Sequence, residues 1–375
     1  MVKVSVVVPC YNVAPWLVRC LDSLMNQTLH DIEIICIDDR STDGTFDILD
    51  EYSRRDKRIK FIMFPQNQGV AVARNAGMDA ATGEYIGFVD PDDYVDLDFY
   101  EKLYDAAQKN NADIVRGNVR TTVAADGSVR DETNLLQAID ADFHCFIGGF
   151  WAAIYRREFL SKNDIKFPAG VITAQDSVFL ANVILATTGV SVCADTYYNY
   201  FYQRPGSLDS KILNHKKAVS KYRAVSMIFD AINAANISDE DRVIMVREHF
   251  IIPIAYNLNY KEFEDDADRK QMFDLLIRGI KNYDGKSLVS KYFDKEATRH
   301  ILKNNYVAWR EYIGLTIVRF YLFDIIPTLI IRRGSDATHV RLFKIIPLIT
   351  VRHHRKVFLF GIIPVCKWRI HRPLQ

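Results

Sequence analysis

Three carboxylates stand within four residues in the stretch Phe88-Val-Asp-Pro-Asp-Asp-Tyr94: Asp90, Asp92 and Asp93. They follow the apolar run Tyr85-Ile-Gly-Phe-Val89, which reads as a buried strand that Pro91 ends by removing a backbone donor. Acids crowded at a strand end repel one another, so the spacing calls for a compensating positive group. A hard divalent cation with oxygen ligands, sharing its coordination with substrate phosphates, meets that need. The same residues would also serve as an acidic turn capping a helix that starts near Leu97.

The elements upstream decide which reading gains support. Val4-Ser-Val-Val-Val8 is a continuous apolar run ending at Pro9, the pattern of a central parallel strand covered on both faces. Cys10-Tyr11-Asn12 follows, then a helical pattern with Trp16, Leu17, Cys20, Leu21 and Leu24 on one face, Asn12 as its cap and Pro15 in its first turn. A second strand, Glu33-Ile-Ile-Cys-Ile37, runs into Asp38-Asp39-Arg40-Ser41-Thr42-Asp43-Gly44 and a helix with Phe46, Leu49 and Tyr52 as its inner face. A third strand is expected near Ile59–Phe64 and a helix over Val70–Ala81. Alternating strands and helices make an open α/β sheet, whose ligands bind at the carboxyl ends of the strands.

Those ends carry Tyr11, Asp38 and Asp39, the segment Asn67–Asn75 and the acidic triplet. No G-x-G-x-x-G follows the first strand and no G-x-x-x-x-G-K-[ST] occurs, which excludes a Rossmann dehydrogenase and a P-loop protein. Phosphate is then left to a metal on the triplet and to arginine. Tyr11 to stack, Asp39 to accept from a base N–H, and carboxylates with a metal for the diphosphate fit a nucleoside diphosphate.

Val-Ser-Val-Val-Val-Pro-Cys-Tyr-Asn12, Ile-Asp-Asp-Arg-Ser-Thr-Asp-Gly44, Asn-Gln-Gly-Val-Ala-Val-Ala-Arg-Asn-Ala-Gly77 and Phe-Val-Asp-Pro-Asp-Asp93 together resemble the ordered signatures of glycosyltransferase family 2, over about residues 2 to 210. The resemblance implies an inverting enzyme with an open, mostly parallel sheet of the nucleotide-diphospho-sugar transferase type. It implies that Pro9, Tyr11, Asp39, Arg74, Asp90 and Arg204 bind the donor nucleotide. Asp92, with Asp90 and Asp93, would hold Mn2+ or Mg2+. Arg40 stands where the family usually has glycine, and only a loop change is expected. Each residue also has a plainer role open to it: Asp43 and Asp39 as helix caps, Tyr11 as a packed turn aromatic, Arg74 as an ion-pair partner on its helix.

Farther along, Asp113-Ile-Val-Arg116 reads as an edge strand and Asp126-Gly127 as a turn. The segment Gly149–Arg157, Phe167-Pro168 and Ala174-Gln-Asp-Ser-Val-Phe179 resembles the family's acceptor side, where a Glu-Asp pair supplies the catalytic base. Here Gln175 replaces the glutamate, so Asp176 remains as base, or as the N-cap of a helix over Ser177–Ala186. Trp151 is open to a sugar-pocket or a core role.

The 375 residues suggest two or three units. We expect a catalytic domain over 1–215, an α-helical subdomain over 216–318 and a basic tail over 319–375. From Arg319 onward there are 11 Lys and Arg against two acids, on a chain whose net charge is only +1. Within that tail Leu322-Phe-Asp-Ile-Ile-Pro327 recurs as Leu342-Phe-Lys-Ile-Ile-Pro347 and Leu359-Phe-Gly-Ile-Ile-Pro364. Aromatic and branched residues interleaved with cations suit an anionic membrane surface, or a small packed layer with its bases in water. Six cysteines without metal-ligand or paired spacing suggest reduced thiols. No signal peptide and no apolar run of the roughly 18 residues needed to span a bilayer is evident.

The sequence thus points to a metal-dependent transferase moving a sugar from a nucleotide-diphospho-sugar, UDP-linked by the Asp39 argument, to a hydroxyl of a growing, lipid-linked surface glycan. It would work in the cytoplasm, peripherally on the inner membrane face, with no nucleic-acid partner. The alternatives are a nucleotidyltransferase, which lacks its basic glycine-rich loop, and a non-catalytic sugar-nucleotide-binding or membrane-adaptor protein.

Overall fold

The computed structural model describes the chain apart from residues 124–126, 132, 147, 203–211, 261, 282, 284–288, 291, 314–315, 323–325, 334–337, 343–345, 352–368 and 371–375. It falls into two compact units, Met1–Gly279 and Ile280–Gln375.

The first unit opens with strict strand–helix alternation: β1 (Val4–Cys10), α1 (Ala14–Met25), β2 (Ile32–Asp38), α2 (Thr45–Arg55), β3 (Ile59–Met63), α3 (Val70–Ala80) and β4 (Tyr85–Phe88). Every residue of β1, β2 and β4 is buried, as their largely apolar runs suggest, with Ser5, Glu33 and Asp38 buried among them. The helices bury one stripe each. In α1 it is Leu17, Cys20, Leu21 and Leu24, and in α2 Leu49 and Tyr52. Phe46, expected inside, is largely exposed and meets Phe61 edge-on at 5.8 Å. The thiols of Cys10, Cys20 and Cys36 are free and lie in the core. Helix α3 presses so close to β1 that a Cβ on Gly77 would stand 2.3 Å from a Val7 methyl. Only glycine fits there.

The sheet continues through β5 (Tyr94–Val95), α4 (Phe99–Asn110), β6 (Ile114–Val123), β7 (Val129–Asp131), α5 (Thr133–Ala141), β8 (Ala153–Arg156), α6 (Arg157–Lys162), α7 (Gln175–Ala186) and β9 (Ser191–Tyr202). Its order is β3-β2-β1-β4-β8-β6-β9-β5, with β7 on β6. The first four strands are parallel, β8 runs against β4 and β6, and β9 is parallel to β6. This is the mostly parallel α/β sheet that the alternation implied. Strand β6, expected at an edge, lies inside the sheet between β8 and β9 instead. The apolar stem of Arg116 is buried and its guanidinium sits over Phe146, 5.3 Å from the ring centre, donating to the Gly117 carbonyl at 2.6 Å.

A helical region closes the first unit: α8 (His215–Ala234), α9 (Asp239–Met245), a π-helical turn over Val246–Ile251, α10 (Ile252–Tyr260) and most of α11 (Asp266–Lys281), with the short pair β10 (Ile212–Leu213) and β11 (Glu262–Phe263). Asn214 and Ser238 cap α8 and α9 by accepting from Lys217 N and Asp241 N. The π turn sets His249 in the interior, its ring nitrogen 3.0 Å from the His144 carbonyl, and burial pushes the imidazole down to about 4.

In the second unit, α12 (Lys295–Leu302) and α13 (Tyr306–Ile313) precede five strands, β12 (Thr316–Leu322), β13 (Ile326–Arg333), β14 (Thr338–Leu342), β15 (Ile346–Val351) and β16 (Arg369–Ile370). They form an antiparallel sheet in the order β15-β14-β13-β12-β16. Among the described residues no helix is long and apolar enough to cross a membrane.

Candidate active site

The acidic stretch forms a tight turn in which Asp93 N donates to the Asp90 carbonyl at 2.9 Å, with Pro91 at the position its fixed φ favours. That turn separates the three acids. Asp90 and Asp92 are half-buried at its rim, whereas Asp93 is 0% exposed. Asp93 accepts from the Tyr198 hydroxyl and the Phe201 backbone N–H, both at 2.8 Å. The Tyr198 oxygen in turn accepts from Asp90 N at 3.0 Å. Burial, then the like charges of Asp92 and Asp90, push the Asp93 carboxyl well above its ordinary range despite these donors. Asp93, expected among the metal ligands, is therefore a strut: both its oxygens tie the turn to β9.

Asp90 is held from behind. Arg74 on α3 donates to its Oδ1 at 2.7 Å. Arg74 is 4% exposed, lying over Phe150 and Phe167 at 4.7 and 5.3 Å, and its Nε and Nη1 have no hydrogen-bond partner. It orients Asp90 from the interior. Arg19 on α1 holds the other side, donating to the Asp92 carbonyl at 2.7 Å while its guanidinium lies 4.7 Å from Tyr94 and 5.4 Å from Phe201. No spacing in the sequence links residue 19 to residue 92. Only the packing of α1 beside the turn reveals this contact.

The neighbouring strand ends are laced together. Asn12 does not cap α1; it takes φ +51° and its Oδ1 accepts from Thr42 N at 2.8 Å, while Asn12 N donates to Ser41 Oγ. Asp43 accepts from Ala14 N and Thr45 N, the first residues of α1 and α2; its carboxyl lies low because the Thr45 hydroxyl and these two N–H groups outweigh burial. Arg40, the departure from glycine, adopts φ +65°. That conformation costs a side-chain-bearing residue roughly 1–2 kcal/mol, which explains why glycine suits the position. Tyr11 stands 48% exposed above these loops, free of the core. Pro9 lies buried in β1 opposite Ile37.

Asp39 is buried and accepts from Gln68 N at 2.6 Å and Gly69 N at 2.8 Å, which positions the Asn67–Gly69 loop at the start of α3. Asp38 accepts from Ser41 N with one oxygen; its Oδ2 is buried with no partner.

Helix α7 begins at Gln175, after Ala174 in the left-handed region at φ +65° and with no side-chain cap. Asp176 is thus not the N-cap. Among the described residues, its Oδ1 accepts from the adjoining Ser177 N, at 2.9 Å. Gln175 is 7% exposed and its Oε1 has no partner. Phe179, one turn on, stacks on Phe167 at 4.2 Å, and both rings touch Phe88. This aromatic box fixes the start of α7 to the strand that ends in the acidic turn. Trp151 lies against Tyr198 at 4.1 Å and Tyr200 at 5.1 Å, packed on the core. Arg204 lies outside the described residues.

A family model described as glycosyl transferase family 2 matches residues 5–164. The uncharacterized glycosyltransferase EpsJ of Bacillus subtilis is 32% identical over 262 residues, 66% of this chain and 75% of EpsJ. This chain belongs to glycosyl transferase family 2. A further relative, the poly(ribitol-phosphate) beta-glucosyltransferase of Bacillus spizizenii, is 32% identical over 281 residues, 72% of this chain; the match spans 44% of that longer protein. Among solved structures, residues 1–349 of S. aureus TarS share the fold at a TM-score of 0.65 and 21% identity, over 82% of this chain and 89% of that one.

Two clusters of oxygen donors among the described residues differ in what they offer a cation. Asp90 and Asp92 offer hard oxygen donors at a half-open rim, the set a Mn2+ or Mg2+ ion takes. His215, Asp265 and Asp268 also lie within ligand reach of one another. There, however, Asp268 pairs with His215 at 2.9 Å and Asp265 accepts from Ala267 N, where α8 and α11 begin. The positive ends of two helices oppose a cation and account for the acids.

Proposed function

We propose that this glycosyltransferase moves a sugar, with inversion, from a UDP-sugar to a hydroxyl of a growing bacterial surface polysaccharide, lipid-linked and presented at the inner face of the cell membrane. The observation that carries the reading is the division of labour in the acidic turn: Asp93 buried as a strut, Asp90 and Asp92 left at the rim. Asp90 and Asp92 hold the divalent ion, which when bound supplies positive charge against the departing diphosphate. Tyr11 stacks on the base, and Asp39 uses the second lone pairs of its loop-bound carboxylate for a base N–H. Arg74 keeps Asp90 aimed without touching the donor.

Asp176 accepts the proton of the acceptor hydroxyl as that oxygen attacks the anomeric carbon from the face opposite the nucleotide. The bond to the diphosphate oxygen breaks as the new glycosidic bond forms, and UDP leaves. Asp176, which does not cap α7 and accepts from its neighbour's N–H, supports that reading. Support for the donor class comes from S. aureus TarS, of the same fold, which has been solved with UDP and with UDP-GlcNAc. Support for the acceptor class comes from the poly(ribitol-phosphate) beta-glucosyltransferase relative.

The test is a thermal-shift panel of nucleoside diphosphates and UDP-sugars with and without Mn2+, on wild type and Asp92→Ala. Metal-dependent stabilisation by UDP compounds, lost in the variant, is the expected result; a flat response overturns the donor assignment. Asp176→Asn should keep that stabilisation and lose transfer. An adaptor protein would show no transfer in either form.

A further inference from the structure

Successive residues of α3 reach in different directions. Arg74 holds Asp90, and Asn75 holds a residue 92 positions farther along the chain. Asn75 Nδ2 donates to the Phe167 carbonyl at 2.8 Å, and its Oδ1 accepts from Phe167 N at 2.9 Å. One side chain thus satisfies both backbone groups of one residue, as a neighbouring strand would. Phe167 is itself buried, stacked on Phe179 of α7 and lying beneath the Arg74 guanidinium.

Residues 167–174 lead from that clamp to the start of α7. They bend sharply, with Gly170 at φ +76° and Ala174 at φ +65°. A residue with a Cβ keeps that conformation only where its surroundings hold it. Ser220, on α8, supplies the hold. Its Oγ accepts from Ile172 N at 2.8 Å and Thr173 N at 3.0 Å, and donates to the Thr173 carbonyl at 3.3 Å. A hydroxyl has one proton and two lone pairs, so these three bonds use its whole capacity. Ser220 and Thr173 are both buried, which shields the bonds from water. Helix α7 has no side-chain cap, and Asp176 is its second residue. Its first turn is therefore fixed by the clamped segment before it and by the stack of Phe179 on Phe167.

We infer that Asn75 and Ser220 are positioning residues of the transfer, clamping residues 167–174 from two sides and so setting where Asp176 stands relative to Asp90, a role that rests on the reading of Asp176 as base. Arg74 and Asn75 are neighbours on α3, so one helix aims both the rim acid and the segment that carries the base. Ser220 gives the helical region a part in the reaction, since α8 bears on Asp176 through the backbone of Ile172 and Thr173. Apolar contacts between α7 and α8 would suffice to pack them. Three directional bonds on the two residues before Ala174 fix orientation as well as distance. A base must lie within hydrogen-bond reach of the proton it takes, and a displacement of about 1 Å costs on the order of 100-fold in rate.

The experiment measures sugar transfer and donor binding by the full chain carrying Ser220→Ala, Ser220→Thr or Asn75→Ala. Ser220→Ala should lower kcat per folded molecule by about 10-fold to 100-fold, with the donor KM and the Mn2+-dependent stabilisation by UDP unchanged. Ser220→Thr keeps the hydroxyl and should retain most of kcat. Full kcat in folded Ser220→Ala, or a parallel loss of UDP-dependent stabilisation, overturns the positioning role. A double-variant cycle with Asp176→Glu is the sharper readout, because the longer side chain moves the carboxylate. In that background Ser220→Ala should cost clearly less than it does alone, whereas equal costs overturn a role exercised through Asp176. Should Ser220→Ala not fold, Asn75→Ala reads the same clamp from its other end, with the same expected loss and the same overturning result. Asp176→Asn keeps the two readings apart. Transfer at the wild-type rate in that variant removes Asp176 as base; loss there with full kcat in Ser220→Ala removes the clamp alone.

Discussion

The two ends of the catalytic sheet treat the same chemical group in opposite ways. At the amino ends of the strands, Glu33 is 2% exposed and every demand on it is met: Ser5 Oγ donates at 2.6 Å, Thr82 N and Oγ1 at 2.8 Å and Lys60 Nζ at 2.8 Å. Burial alone would raise its carboxyl, but these donors outweigh it and bring it down to about 2. At the carboxyl ends, Asp93 is held up by burial and by two like charges, Asp38 keeps an oxygen with no partner, and Arg74 keeps two unpaired nitrogens. A buried charge is tolerable when paired and costly when not. One end therefore stabilises the fold, and the other retains electrostatic strain that a cation and a diphosphate would relieve.

Breaking the carboxyl end should have the largest effect on turnover. Asp92→Ala should lower kcat/KM by about 10³-fold or more, with little change in apo Tm, measured as sugar transfer and by calorimetry. Breaking the amino end should do the reverse: Glu33→Gln should destabilise by about 2–3 kcal/mol in chemical denaturation while activity per folded molecule persists.

The strut reading of Asp93 sharpens the contrast. Asp93→Asn, which can still bridge Tyr198 and Phe201, should keep most of the metal affinity, whereas Asp93→Ala should cost about 1–3 kcal/mol and loosen the turn. Metal titration followed by UDP-dependent Tm separates a strut from a ligand, since a ligand would fail in both variants.

Acidification tests the same comparison more gently. His249 has its folded value, about 4, below the reference of 6.5, so its neutral form stabilises the fold and that contribution is lost as pH falls from 6.5 towards 4. Glu33 has its folded value, about 2, below 4.5, so its contribution is complete above 4.5 and fades as pH falls towards 2. Stability against pH should therefore fall in two steps, the upper one absent in His249→Phe. The smallest effect is expected of Arg19→Ala, about tenfold in the metal concentration for half-maximal activity, because it removes a positioning contact and leaves the ligands.

Much of this was legible in the chain. The alternation of apolar runs with 3.6-periodic helices gave the first four strands and their helices, because a strand covered on both faces is mostly apolar and its few polar residues, such as Ser5 and Glu33, must be paired. The ordered motifs brought Tyr11, Asp39, Arg74 and the acidic turn to adjacent strand ends. Strand β6 reads as an edge but lies between β8 and β9, because strand pairing is set by segments far away in the chain. Asn12 and Asp176 are not caps: α1 and α7 start after Val13 and Ala174 with no side-chain cap, a matter of backbone geometry that residue type does not show.

Composition and periodicity by themselves determined the layer order, the core stripes and the clustering of acids at one strand end, since these depend on local pattern and chain connectivity. Which acid is strut and which is rim, and that Arg19 reaches the Asp92 carbonyl across 73 residues, were decided by tertiary structure alone. Those outcomes depend on distances between segments far apart in the chain and on strand register, where a shift of one residue reverses every face.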